Sequence, residues 1–138
     1  MLRLAINGYG RIGRSVLRAL HESPLKSRLQ VVAVNELADA GTVLHLTRYD
    51  STHGRFSGAL EGDQRHLWVD GQAIELLSKP DIPDLPWADL GVDMVMECTG
   101  AFSDRATAEQ HLERGAGKVL FSQPAQSDVD ATVVFGIN

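Results

Sequence analysis

Near the start of the chain, the segment AINGYGRIGRSVLRAL sets Gly8, Gly10 and Gly13 between an apolar run and an amphipathic one. Few features restrict the folding of a chain more. Arg3–Asn7 (RLAIN) is short and apolar, is bounded by Gly8, and predicts a buried strand. From Arg11 to Glu22 the apolar residues Ile12, Val16, Leu17 and Leu20 recur at helical spacing, with Arg11, Arg14 and Arg18 turned elsewhere, and Ser23–Pro24 stops the helix. A strand that runs into a helix through G-x-G-x-x-G is the first half of a βαβ unit, and each glycine there has its own task. Gly8 permits the tight turn out of the strand. Gly10, lacking a Cβ, lets a ligand's phosphates approach the backbone, and Gly13 lets the helix lie close on the sheet. The unpaired N–H groups and positive dipole end of the helix complete an anion seat.

The next segment supports that reading. Leu29–Asn35 (LQVVAVN) predicts a second buried strand, and Glu36 follows it, 23 positions after Gly13. A carboxylate there accepts hydrogen bonds from ribose hydroxyls, which points to a bound dinucleotide. It also disfavours a 2′-phosphate, by about 4 kcal/mol per charge pair at ~4 Å and an effective dielectric near 20. NAD is therefore expected over NADP.

Further along, Ala38–Arg48 predicts a helix. HLWVDGQAIELL alternates around Asp70–Gly71 and predicts an antiparallel hairpin inserted at the edge of the main sheet. KPDIPDLPW, with three of the five prolines, predicts irregular chain. Val92–Cys98 predicts a strand ending at Thr99–Gly100. Ser103 is the expected cap of a helix running through Arg114 and closed by Gly115 and Gly117. Lys118–Ser122 and Ala131–Ile137 predict two more strands. Alternating strands and helices imply an α/β fold, a doubly wound, Rossmann-type, mostly parallel sheet with the hairpin inserted. Residues 1–138 are expected to form one domain, the front part of something larger.

Composition excludes other classes. A formal charge of −5 without a Lys/Arg cluster argues against nucleic acid, and no apolar run is long enough to span a bilayer. The N-terminus lacks the pattern of a secretory signal. The single cysteine, Cys98, excludes an internal disulfide and fits a reducing cytoplasm. The five histidines show no metal-ligand spacing, so no metal is expected.

Taken together, AINGYGRIGR, RYDSTHGRF, LPWADLGVDMVMECTGAF and ATVVFGIN closely resemble the amino-terminal, NAD-binding domain of the glyceraldehyde-3-phosphate dehydrogenase family, from Leu4 to Asn138. Within it, NELADA at Asn35–Ala40 and the cysteine before Thr99–Gly100 resemble the erythrose-4-phosphate dehydrogenases; the glycolytic enzymes usually carry Asp and Ser at those two places. The resemblance implies that Asn7, Gly8, Gly10, Arg11, Ile12 and Gly13 surround the diphosphate and Glu36 meets the ribose. Thr99 and Gly100, with Phe102 nearby, would border the cofactor, and Ser122 would approach its nicotinamide side. The family's adenine-side arginine falls at Pro80, beside Lys79, whose ammonium cannot stack as a guanidinium does.

The resemblance further implies a cysteine nucleophile and a histidine base in a carboxy-terminal catalytic domain outside residues 1–138, so these residues alone would bind NAD without catalysing. The whole enzyme would oxidise erythrose 4-phosphate to 4-phosphoerythronate, towards pyridoxal phosphate, through a thiohemiacetal and a thioester released by water. It is expected to be a homotetramer. Two alternatives stay open: a phosphorylating glyceraldehyde-3-phosphate dehydrogenase, and a stand-alone nucleotide-binding module. Cys98, ending an apolar strand, reads as a buried structural thiol. His53 reads as a loop or subunit-contact residue, and Trp68 and Trp87 read as packing residues.

Overall fold

A computed structural model describes residues 1–50, 54–101 and 104–122 of the chain. Leu2–Asn7 forms β1 and Arg11–Glu22 forms α1, after which Ser23 accepts the N–H of Leu25 and opens a single 3-10 turn, Pro24–Ser27. Leu29–Asn35 forms β2. The following helix, α2, covers Ala40–Arg48, two residues shorter than expected, because the Asp39 carboxylate caps it by accepting the Thr42 N–H at 2.8 Å. A two-stranded ribbon, β3 (Tyr49–Asp50) and β4 (Gly54–Arg55), was not foreseen.

Then come β5 (Leu60–Gly62), β6 (His66–Val69) and β7 (Gln72–Leu77). The turn between β6 and β7 is Asp70–Gly71, with φ of 49° and 82°, the left-handed pair that a two-residue hairpin requires. The proline-rich stretch holds a 3-10 turn at Ile82–Asp84, and Trp87–Leu90 forms the short helix α3. Met94–Glu97 is β8, Arg105–Glu113 is α4, and Lys118–Phe121 is β9. The cap of α4 is Asp104, one residue beyond Ser103, which lies outside the described residues together with Phe102, His53 and the strand expected at 131–137.

The main sheet runs β5-β6-β7-β2-β1-β8-β9. Its five strands from β7 to β9 are parallel, and β5 and β6 are antiparallel additions at one edge. This is the Rossmann-type order. The hairpin is not a pure edge insertion, since its second arm, β7, is itself the parallel neighbour of β2. In the β1–β2 pairing, Leu4 faces Val31 but Ala5 faces Ala33. Val32 is thus a bulge, and Val32 and Ala33 both turn to the same face of the sheet.

Both faces of the sheet are covered. On one, Leu4, Ile6, Val31 and Val34 pack with Leu17 of α1 and Val43 of α2. On the other, Ala5, Ala33 and Val95 pack with Ile82, Leu85 and Trp87. Burying a side chain such as Ile6 contributes about 1.5–3 kcal/mol. Two assignments on α1 change. Ile12 is half exposed, and Arg18 is buried, donating to the Thr47 carbonyl at 3.2 Å with its guanidinium 5.6 Å from the Phe56 ring centroid. The C-terminal carbonyls of α2 make that a favourable place for a cation.

Candidate functional site: the cleft at the carboxyl ends of the central strands

The chain leaves β1, passes to β2 and β7 on one side, and returns to β8 on the other, so the order reverses between β1 and β8. Ligands of such sheets bind outside the carboxyl ends of the strands at that reversal. A cleft of about 290 Å³ lies there, between Asn7, Gly8, Gly10 and Thr99 on one side and Glu36, Lys79 and Pro80 on the other. A larger cavity of about 500 Å³, walled by Leu17, Leu20, Leu29 and Ile74, shares no residue with the glycine loop.

The three glycines differ in their surroundings. Gly8 has φ +91°, and a Cβ on it would stand 2.7 Å from the Thr99 nitrogen. On Gly13 a Cβ would stand 2.5 Å from the Gly8 carbonyl oxygen, so α1 rests directly on the turn. Gly10 faces nothing within 4 Å. It is also the N-cap of α1, with no side-chain cap and no acidic residue in the first turn, which leaves the positive end of the helix facing outward.

The loop is held from several sides. Gly8 donates its N–H to the Asn35 carbonyl at 2.9 Å, and Tyr9 donates its N–H to Oε1 of Glu36 at 2.9 Å. The Tyr9 ring turns inward, where its hydroxyl donates to Oγ1 of Thr47 at 2.7 Å, since Thr47 itself donates to the Val43 carbonyl. Burial pushes the Tyr9 phenol up to about 12, with the Thr47 hydrogen bond opposing. Glu36 also accepts the Ala38 N–H, through Oε2 at 2.9 Å. Each of its oxygens keeps acceptor capacity for a further donor.

Beneath the cleft lies a network of buried polar side chains. Asn35 accepts the Lys79 N–H through Oδ1 at 2.8 Å and donates Nδ2 to the Lys79 carbonyl at 2.9 Å and to Oδ1 of Asn7 at 2.8 Å. Asn7 in turn donates Nδ2 to Oε2 of Glu97 at 2.8 Å. Trp87 donates its indole N–H to Nδ1 of His111 at 3.0 Å, so the ring proton sits on Nε2, which donates to Oε2 of Glu97 at 2.7 Å. Thr99 adds its hydroxyl to Oε1 of Glu97 at 2.6 Å. Burial acts to raise the Glu97 carboxyl pKa, but the donors His111, Thr99 and Asn7 outweigh it and hold the group below the ordinary carboxyl value.

Of the residues singled out in the sequence, Asn7, Gly8, Gly10, Glu36 and Thr99 line this one cleft. Arg11, Ile12 and Gly13 form the first turn of α1 beside it. Gly100, with φ +75°, follows Thr99, and Ser122 directly follows β9, its N–H bonded to the Glu97 carbonyl at 3.1 Å. Cys98 is half-buried and also lines the cleft. Its thiol is pushed up by burial, against the Ser122 hydrogen bond and reinforced by Glu97, which keeps it protonated and a poor nucleophile.

Asn35, Glu97 and His111 were missed. A signal existed for Glu97, because a carboxylate inside the apolar run VDMVMEC must find buried donors. Nothing local pointed to His111 as one of them. No group of three or more His, Cys, Asp or Glu among the described residues is placed to hold a metal, and no described helix is long and apolar enough to cross a membrane. The family model described as glyceraldehyde 3-phosphate dehydrogenase, NAD binding domain, matches residues 2–105.

Proposed function

The chain belongs to the glyceraldehyde-3-phosphate dehydrogenase family, whose NAD-binding domain it carries, and from that premise we propose how its residues hold NAD. Asn7, Gly8, Gly10, Arg11, Ile12 and Gly13 surround the diphosphate. Glu36 takes the adenosine ribose, with Lys79 and Pro80 on the adenine side. Thr99, Gly100 and Ser122 border the nicotinamide half. The observation that carries this reading is the contrast among the glycines: a side chain at Gly8 or Gly13 would strike protein, whereas the space at Gly10 is left open. When bound, NAD supplies the acceptor for a hydride. The chain's own part is to orient it and to select it, through the Glu36 carboxylate, over the 2′-phosphorylated form. Calorimetric titration of the chain with NAD and NADP tests this. One NAD site with NADP at least about ten-fold weaker is expected, and equal affinities would overturn the role of Glu36.

Glu36 within NELADA, and Cys98 before Thr99–Gly100, favour erythrose 4-phosphate, oxidised to 4-phosphoerythronate towards pyridoxal phosphate, in a cytoplasmic homotetramer. Residues 1–138 are the single NAD-binding domain of that enzyme and supply no catalytic nucleophile, Cys98 being a protonated, half-buried thiol. The test is activity of the enzyme that contains this domain on the four-carbon and three-carbon aldehydes, with and without inorganic phosphate. A phosphate requirement with preference for the three-carbon aldehyde overturns this choice in favour of the glycolytic reaction.

A further inference from the structure

Beyond the pairing of Asn35 with the Lys79 backbone, the side-chain hydrogen bonds under the cleft are donated towards Glu97, and the geometry explains why no member can reverse. Asn35 pairs with both backbone groups of Lys79, Oδ1 against N–H and Nδ2 against C=O, so its amide cannot flip without setting donor against donor. That orientation presents Nδ2 to Oδ1 of Asn7, which locks the Asn7 amide with its own Nδ2 facing Glu97. From the other side, the Trp87 indole can only donate, which fixes the His111 proton on Nε2, again facing Glu97. Oε2 therefore meets two donors that have no alternative.

Oε1 meets the remaining two, the N–H and the hydroxyl of Thr99, at 3.3 and 2.6 Å. With its proton given to Glu97, Oγ1 of Thr99 accepts the Ala101 N–H at 3.2 Å. The turn Thr99–Gly100–Ala101 is thus shaped by one carboxylate oxygen, and the same turn sits against Gly8. It follows β8, on the opposite side of the glycine loop from Glu36 and β2.

We propose that Glu97 is a positioning residue for the cofactor: as an acceptor on both oxygens it sets the Thr99–Ala101 turn, and through it the affinity for the nicotinamide half but not the adenosine half. This rests on the cleft being the NAD site. An amide at position 97 places its oxygen towards Asn7 and His111, where it satisfies both locked donors. Its NH₂ group then faces Thr99, where it repels the backbone N–H and forces the hydroxyl to turn round and accept. The disturbance is confined to the turn.

The experiment is titration of the chain with NAD and with ADP, which carries only the adenosine and diphosphate. Wild type should bind both. Glu97→Gln should bind NAD about ten-fold more weakly, the scale of one lost buried hydrogen bond, and ADP within about two-fold of wild type. Equal weakening of the two ligands, or of neither, overturns the proposal. Thr99→Val and Thr99→Ser provide a second pair if Glu97→Gln does not fold. The serine, which keeps the hydroxyl, should bind NAD about five-fold more tightly than the valine, with ADP affinities alike; no difference for NAD, or the same difference for ADP, overturns it. Wild type that binds neither ligand refutes the cleft reading itself, a result distinct from all of these.

Discussion

Glu36 and Tyr9 are joined by a 2.9 Å hydrogen bond from the tyrosine's backbone N–H to the glutamate's Oε1. The side chain at the end of β2 therefore fastens the glycine loop at the end of β1, in addition to facing the cleft. Replacing Glu36 by alanine removes the loop's tether and the charge together. NAD affinity should fall by about ten-fold, while the preference for NAD over NADP narrows because the like charge is gone. Calorimetry with both nucleotides measures the two effects, and an unchanged preference would remove Glu36 from the selectivity argument.

The glycines of the loop should separate stability from binding. Gly13→Ala drives a methyl into the Gly8 carbonyl and should cost about 2–3 kcal/mol in urea denaturation. Gly10→Ala meets open space at an ordinary φ of −79° and should change stability by less than about 0.5 kcal/mol. The same alanine should nonetheless abolish detectable NAD binding. Retained binding in a folded Gly10→Ala protein would place the diphosphate elsewhere.

His111→Leu tests the buried network's contribution to stability. The leucine fills similar volume but leaves the Trp87 N–H and one Glu97 oxygen short of a partner. A loss of about 3 kcal/mol or more is expected from urea midpoints. A loss below about 1 kcal/mol would mean that water replaces the ring.

The Glu97 carboxyl has a folded-state value below the 4.5 of an unperturbed group, so the unfolded state takes up its proton first as acid is added. Its contribution is complete above that ordinary value and drains away as pH falls from there through the folded value. Urea denaturation from pH 7 into the acid range should show wild type losing more stability than Glu97→Gln over that interval. Parallel curves would exclude Glu97 as the source.

Tyr9 acts at the other end of the scale. Its phenol is raised from 10.0 to about 12, so the folded state resists ionisation. The associated stability is fully present below pH 10.0 and is lost as pH rises towards about 12. In Tyr49→Phe, where Tyr9 is the remaining tyrosine, ultraviolet titration should show no phenolate step at pH 10.0 while the protein stays folded. A step at that pH would show that the ring is not buried.

Much of this was legible in the chain because it depends on neighbours in sequence. The extents of α1 and β2 follow from apolar spacing and from Ser23–Pro24, and the Asp70–Gly71 turn follows from the φ values those residues tolerate. The loop Gly8–Gly13 announces its shape because a tight turn, an open approach and a close helix each require a missing Cβ. Where the reading slipped, the deciding partner was remote. Arg18 is drawn inward by the end of α2 and by Phe56, and β7 pairs with its hairpin partner β6 on one side and with the remote β2 on the other.

Residues adjacent along the chain suffice to specify a βαβ start, a glycine seat at a helix N-terminus and an acidic residue at the next strand's end. All are local consequences of backbone sterics, apolar periodicity and short spacing. The meeting of Glu97, His111 and Trp87 in one buried network, carried across the strand ends by Asn7 and Asn35, arises from long-range packing. Those contacts join residues 14 to 90 positions apart. Hydrogen bonds over such separations exist because sheet order and helix packing bring the groups within reach, and no local pattern of side chains encodes that approach.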